Sequence, residues 1–293
     1  MDFGKLLTAM VTPFDAAGEI DYPATSNLIE HLINTGTDGL VVAGTTGESP
    51  TLTDNEKIDL FKFVVQQVNG RIPVLAGTGS NNTRATIELT KAADAAGVDG
   101  IMLVSPYYNK PSQDGLYAHF SEIAGNTDLP IMLYNIPGRT SVNIAPETII
   151  RLSQIENIVS VKEASGDLDA AAEIIQNTAD DFSVYSGDDG MTIPLLAIGG
   201  TGVVSVAAHI IGNEMHEMIE SFLNGDHVKA AQIHREILSV IKALFSAPSP
   251  TPVKAALNMN GMSAGGVRLP LVELKDEEKK SLKKALGNYQ ITM

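Results

Sequence analysis

The sequence predicts an α/β protein, a (β/α)8 TIM-type barrel with a helical C-terminal appendage. Three observations predict it: eight short apolar runs recur along the first three quarters of the chain, helix-like segments separate them, and no strand-like run follows about Gly225. Apolar runs closed by Gly, Ser, Thr, Pro or Asn read as parallel strands buried on both faces. Eight strand–helix units in series, without the strand-order reversal signals of a dinucleotide-binding half, favour a closed barrel over an open doubly wound sheet.

In order, the runs are LLTAMVTPF from Leu6, GLVVAGTTGES from Gly39, PVLAGTGS from Pro73 and GIMLVSPYYN from Gly100. They continue with PIMLYNIPGRT from Pro130, IVSVKEAS from Ile158, FSVYSGDD from Phe182 and GVVSVAAH from Gly202. Between the second and third, Asp54 to Asn69 places Ile58, Phe61, Val65 and Val68 on one helical stripe. Between the third and fourth, a helix from Thr83 to Ala96 starts behind Asn81 and Asn82, in capping position. The stretch Met191 to Asn213 lacks acidic and basic residues and has the length of a membrane span. Pro194 and the glycines at 199, 200 and 202 divide it into a short helix and the strand Val203–Val206, so it reads as buried core. Beyond Gly225 the chain reads as helices punctuated by Pro248, Pro250 and Pro252. The expected organisation is a catalytic barrel over residues 1–224 and a helical domain over 225–293, with no short-period repeat.

The 293 residues carry 35 acidic against 20 basic side chains, a net charge of −15 that repels phosphate backbones and anionic lipid surfaces. Neither nucleic acid nor a membrane is an expected partner, and any anionic substrate must be held by local cations such as Lys162 and Arg139. There is no cysteine, which excludes disulfides, thiolate nucleophiles and cysteine-bound metals and is compatible with a reducing compartment. The opening MDFGKLLTAMVTPFD has neither the basic lead nor the apolar length of a secretion signal. The expected compartment is the cytoplasm.

In such a barrel the C-terminal ends of the strands form the reactive face. Residues placed there are Thr45, Thr46, Glu48 and Ser49 after the second strand, Tyr107, Tyr108 and Asn109 after the fourth, and Tyr134 and Arg139 at the fifth. Lys162 and Glu163 end the sixth, and Asp188 and Asp189 the seventh. Lys162 directly follows Ile158-Val159-Ser160-Val161, where an ammonium would be partly desolvated. Desolvation favours the neutral amine, a nucleophile for a ketone. Position alone equally allows a strand-end lysine paired with Glu163. Arg139 has the fork geometry for a carboxylate, although an ordinary surface arginine is the simpler reading of its position. The tyrosines could relay protons or merely pack. The Gly44–Ser49 turn offers backbone N–H groups to a carboxylate but matches no nucleotide-binding pattern. His216-Glu217-Met218-Ile219-Glu220 lacks the second histidine of a zinc motif, and no G-x-S-x-G elbow occurs. Neither a metal nor a cofactor is expected.

Five of these segments, GTTGES at Gly44, YYNKPSQDGLYAHF at Tyr107, YNIPGRT at Tyr134, VKEASGD at Val161 and SGDD at Ser186, closely resemble the 4-hydroxy-tetrahydrodipicolinate synthases among the pyruvate-dependent class I aldolases. The resemblance spans nearly the whole chain. It implies that Lys162 forms an imine with pyruvate, whose enamine attacks L-aspartate 4-semialdehyde, and that the substrate's own amine releases the lysine by cyclisation. It implies proton transfer by Tyr134, with Thr45 and Tyr108 completing a relay, and Tyr108 reaching in from a neighbouring subunit of a dimer or a tetramer of dimers. It assigns the pyruvate carboxylate to Thr46, the semialdehyde carboxylate to Arg139, and further substrate-binding positions to Gly187 and Val204. N-acetylneuraminate lyases and 2-keto-3-deoxy sugar acid aldolases share the lysine and first tyrosine but lack the continuation Asn135 to Thr140. A barrel that only binds would be expected to have lost at least one of these residues.

In lysine-inhibited relatives the resemblance implies an inhibitor pocket that adds two histidines and a glutamate to the equivalents of Ser49, Asn81 and Tyr107. Here those three positions are Asp54, Lys57 and Ala85. Lys57 sets a cation where a cationic inhibitor would sit, and Ala85 lacks a carboxylate for its amine. Weak or absent inhibition by L-lysine is the expectation.

Overall fold

The computed structural model describes residues 3–287 and 289. Eight parallel strands form a closed barrel in chain order: β1 (Leu6–Ala9), β2 (Gly39–Val42), β3 (Val74–Gly77), β4 (Gly100–Val104), β5 (Ile131–Asn135), β6 (Ile158–Glu163), β7 (Ser183–Ser186) and β8 (Gly202–Ser205). Closure is made by β1 against β8, with Leu7 opposite Val204. All eight expected strands are therefore present, and the open-sheet alternative is not.

Side chains alternate across each strand and so divide into two cores. Leu7, Val41, Leu75, Met102, Met132 and Val204 fill the barrel. Leu6, Leu40, Val42, Ile101, Leu133 and Val203 point outward to the helices. Gly202 shows how tightly the closing strands meet, because a Cβ there would lie 2.0 Å from the carbonyl oxygen of Lys5.

The helix Asp54–Val68 begins at Thr53 with a reciprocal capping box to Glu56. Its buried face is Leu60, Phe61, Val64 and Val68. Ile58 and Val65, expected on that stripe, are only partly buried at its margin, because the helix turns Leu60 and Val64 into the core instead. The helix Thr83–Ala95 is capped by the side chain of Asn82, which accepts from the N–H of Ala85.

The uncharged stretch from Met191 divides into the helix Thr192–Ala197, strand β8 and the start of the helix Ala208–Leu223. Among the described residues, no helix is long and apolar enough to cross a membrane. After it come His227–Leu244, Thr251–Met259 and Asp276–Leu286. Their apolar faces, including Ile237, Val240, Leu257 and Leu282, join the same core as the barrel's outer face.

A fully buried histidine ties the first and last strand ends together. His209 Nε2 accepts the N–H of Val11 at 3.1 Å, so the ring proton resides on Nδ1, which donates to the Val206 carbonyl at 2.8 Å. Desolvation pushes its pKa down to about 4, which keeps the ring neutral and the bridge intact.

Candidate active site

The reactive end of the barrel is organised by the register of β5, β6 and β7. A shift between Ile131 and Met132 against β6 sets Tyr134 opposite Lys162, and Lys162 opposite Tyr185. Parallel partners in register face the same way, so all three side chains enter the barrel. Lys162 is 5% exposed, and its Nζ lies 4.3 Å from the centroid of the Tyr134 ring.

The next residue along each strand faces outward. Glu163 accepts from the Asn135 side-chain amide at 2.9 Å and from the Ser165 N–H at 2.6 Å. Asn135 in turn accepts the Ile144 N–H at 3.0 Å. Glu163 thus braces the ends of β5 and β6 from outside instead of pairing with Lys162, because neighbouring strand residues point to opposite faces.

Desolvation lowers the Lys162 pKa to about 8; the buried carboxylate of Asp189 opposes that shift and the Arg139 guanidinium adds to it. Roughly a tenth of the amine is then neutral at pH 7, several hundred times more than for an ordinary lysine. Tyr134 is held protonated chiefly by burial, with opposing effects from the Arg139 charge and a hydrogen bond to the Thr45 side chain. An amine with an accessible neutral form therefore lies against a phenol that still carries its proton.

Tyr134 also lines a cavity of about 440 Å³, shared with Gly44, Thr45 and Arg139 and running on to Ser49, Lys57 and Ala85. Arg139 is exposed on the short helix Pro137–Thr140, directly after β5. Thr46 is buried beside Thr45. Gly187 follows β7 with its N–H donated to the Glu163 carbonyl at 2.8 Å, and a Cβ there would lie 3.1 Å from Lys162 Cε. Val204 belongs to the barrel interior with Tyr134.

Seven of the eight expected site residues thus gather at one end of the barrel. Tyr108 does not: at φ +72° it is 89% exposed, on a loop pinned by mutual hydrogen bonds between Asn81 and the segment Tyr107–Asn109.

Two features were not read from the sequence. Asp189, named only as a strand-end carboxylate, is fully buried, bonded to the Ser205 hydroxyl and to the N–H groups of Val206 and Ala207 at 3.1 and 3.2 Å. Burial raises its pKa, and those three donors, which favour the carboxylate, oppose that shift. Lys254 was missed altogether. Its signal was available, since it is the only charged residue between Ala243 and Val267.

The dihydrodipicolinate synthetase family model matches residues 2–289. The chain belongs to that family. The 4-hydroxy-tetrahydrodipicolinate synthase of Oceanobacillus iheyensis is 59% identical over 290 residues, covering 99% of this chain and 98% of the relative. A crystal structure of a dihydrodipicolinate synthase from Bacillus anthracis superposes with a TM-score of 0.97 at 56% identity, covering 98% of this chain and 99% of that one. The enzyme from Cyanidioschyzon merolae, solved with lysine bound, gives 0.95 at 48% identity and covers 97% of each chain. Family membership at this identity makes the chain a lyase, a 4-hydroxy-tetrahydrodipicolinate synthase by activity, acting in lysine and diaminopimelate biosynthesis.

An imine between Lys162 and pyruvate would need the neutral amine, so its rate of formation at fixed subsaturating pyruvate should rise with pH until about 8 and then level. Asp189→Asn removes the charge that favours the ammonium, and the acid limb should move to lower pH. Borohydride trapping of Lys162 across the pH range measures this, and a shift to higher pH would contradict the assignment.

Proposed function

We propose that the site condenses pyruvate with L-aspartate 4-semialdehyde through an imine on Lys162. The observation that carries the reading is the buried amine itself, with its lowered pKa, against the ring of Tyr134, which lines a cavity together with Thr45 and Arg139.

Each step has a group to perform it. The neutral Nζ of Lys162 attacks the pyruvate ketone, and the carbinolamine expels water to give the imine. Loss of a methyl proton gives the enamine, whose carbon bonds to the aldehyde carbon, and the new alkoxide takes up a proton. The amine of the added substrate then attacks the imine carbon, closing the ring and freeing Lys162. Tyr134 donates and accepts the protons at the imine and aldol steps, passing them through Thr45. Thr46 and the adjoining backbone N–H groups hold the pyruvate carboxylate, with Gly187 and Val204 shaping the space around it. Arg139 grips the semialdehyde carboxylate with its fork of donors.

The outward reach of Tyr108 supports a further element: it completes the relay in a neighbouring copy, so the working unit is a dimer or a tetramer of dimers. The division of labour proposed with it is a barrel over residues 1–224 that carries the chemistry and a helical domain over 225–293. This is supported by the last strand ending at Ser205. The reaction is placed in the cytoplasm, a compartment that suits a cysteine-free chain.

Purified protein should consume pyruvate with L-aspartate 4-semialdehyde and not with N-acetylmannosamine or glyceraldehyde. Lys162→Ala should abolish turnover, and Tyr134→Phe should lower kcat roughly 100-fold or more. Preference for a sugar aldehyde would assign the site to the sugar-acid aldolases, and no consumption would make the barrel a binding protein.

If Tyr108 serves the neighbouring site, Lys162→Ala and Tyr108→Phe chains, each nearly inactive alone, should regain activity when unfolded together and reassembled. A mixture no more active than its components would place Tyr108 outside the relay.

Lys57 and Ala85 line the outer part of the cavity, and Lys57 Nζ is 3.6 Å from Asp54. A cation already there opposes a second one, so L-lysine should leave the rate nearly unchanged at low millimolar concentration. Half-maximal inhibition in that range, measured by initial rates, would refute this.

A further inference from the structure

Directly after Thr45 and Thr46 lies a buried ionic cluster that the chemistry does not use. Glu48 is 2% exposed and Lys254, on the helix Thr251–Met259, is 1% exposed. Lys254 Nζ donates to Glu48 Oε1 and to the Gly266 carbonyl, both at 2.7 Å, and lies 4.0 Å from the centroid of the Phe14 ring. The other carboxylate oxygen of Glu48 accepts the N–H of Arg268 at 2.9 Å. The Arg268 guanidinium donates to the carbonyls of Gly18 and Thr51, each at 2.8 Å, and pairs with Glu56. Segments after β1, after β2 and in the C-terminal region are thereby joined at one point.

Net stability alone gives little reason for such a pair, because removing two charges from water costs about as much as their attraction returns. What it supplies is direction. The turn it holds is conformationally costly: Ala43 and Glu48, neither of them glycine, have φ of +53° and +56°. Such residues persist where their surroundings over-determine them, and they concentrate at ligand clamps. Here the surroundings are the donors on Glu48 and the Thr12 hydroxyl, which donates to the Gly47 carbonyl at 2.7 Å.

We propose that Glu48 and Lys254 are positioning residues for pyruvate: the ion pair anchors the turn Gly44–Ser49 to the C-terminal helices and fixes Thr45 and Thr46 in the pose that receives the carboxylate. The proposal rests on the pyruvate site assigned above. It gives the C-terminal region a part in substrate binding although none of its residues lines the reactive cavity. In Lys254→Met the carboxylate of Glu48 is buried without its cation and the turn must move to reach water.

Borohydride trapping of the pyruvate imine, followed by intact mass spectrometry at increasing pyruvate, separates positioning from mere support. Lys254→Met should raise the half-saturating pyruvate concentration about tenfold or more, the scale set by stranding a buried charge. The maximal trapping rate should remain within about threefold of the wild type, since β6 is untouched. Should Lys254→Met not fold, Glu48→Gln, of the same size and shape, should raise half-saturation several-fold. Unchanged half-saturation in the folded variants, with only a lower Tm, would overturn the proposal. Failure of the wild-type chain to trap pyruvate at all would instead overturn the site assignment beneath it.

Discussion

The structure turns on the desolvation of one amine. A lysine side chain confined to the mouth of a closed barrel has lost most of its water, and its charge is favoured there by the Asp189 carboxylate and the face of the Tyr134 ring. Everything around Lys162 serves that condition. The strand register turns it inward, Tyr134 covers its nitrogen, and Gly187 lets β7 approach where any side chain would push Lys162 Cε aside. Asp189 keeps the shift moderate, so that charged and neutral forms of the amine are both within reach near neutral pH.

That arrangement separates two kinds of support. Inside the barrel, the groups near the lysine tune its charge. Outside it, Asn135, Glu163 and Asn143 form a hydrogen-bonded brace at the ends of β5 and β6. Two carboxylates that look alike in the sequence therefore do different work: Glu163 holds backbone in place, while Asp189 acts on the lysine through its field. The difference comes from position: Glu163 takes the outer face of β6, while Asp189 lies in the turn after β7, bonded to the end of β8.

The eight strands and the place of Lys162 at the end of the sixth were legible in the sequence because both are local properties. An apolar run with a turn residue at its end announces a buried strand, and the residue after the run is at its mouth. The helix stripe was right at Phe61 and Val68 and shifted at its edge, since Ile58 and Leu60 are both apolar and only packing decides which turns inward. The partners Asn135–Glu163 and Glu48–Lys254 lie 28 and 206 residues apart, and no local pattern joins them. Lys162 presented a related ambiguity, because Glu163 beside it looked like a partner until strand alternation separated them. Tyr108 is a different case: it points out from its own barrel, 89% exposed.

Strand alternation around Lys162 also bears on how such a protein can change through evolution. Losing or gaining one residue within β6 would carry Lys162 to the helix side and Glu163 into the barrel, removing the amine from the interior and unhooking the outer brace in a single event. Lengthening the connections after the strands carries no such penalty. New substrate preferences in descendants of this chain should therefore arise from insertions and exchanges in those connections, Pro137–Thr140 among them, while the strand lengths stay frozen.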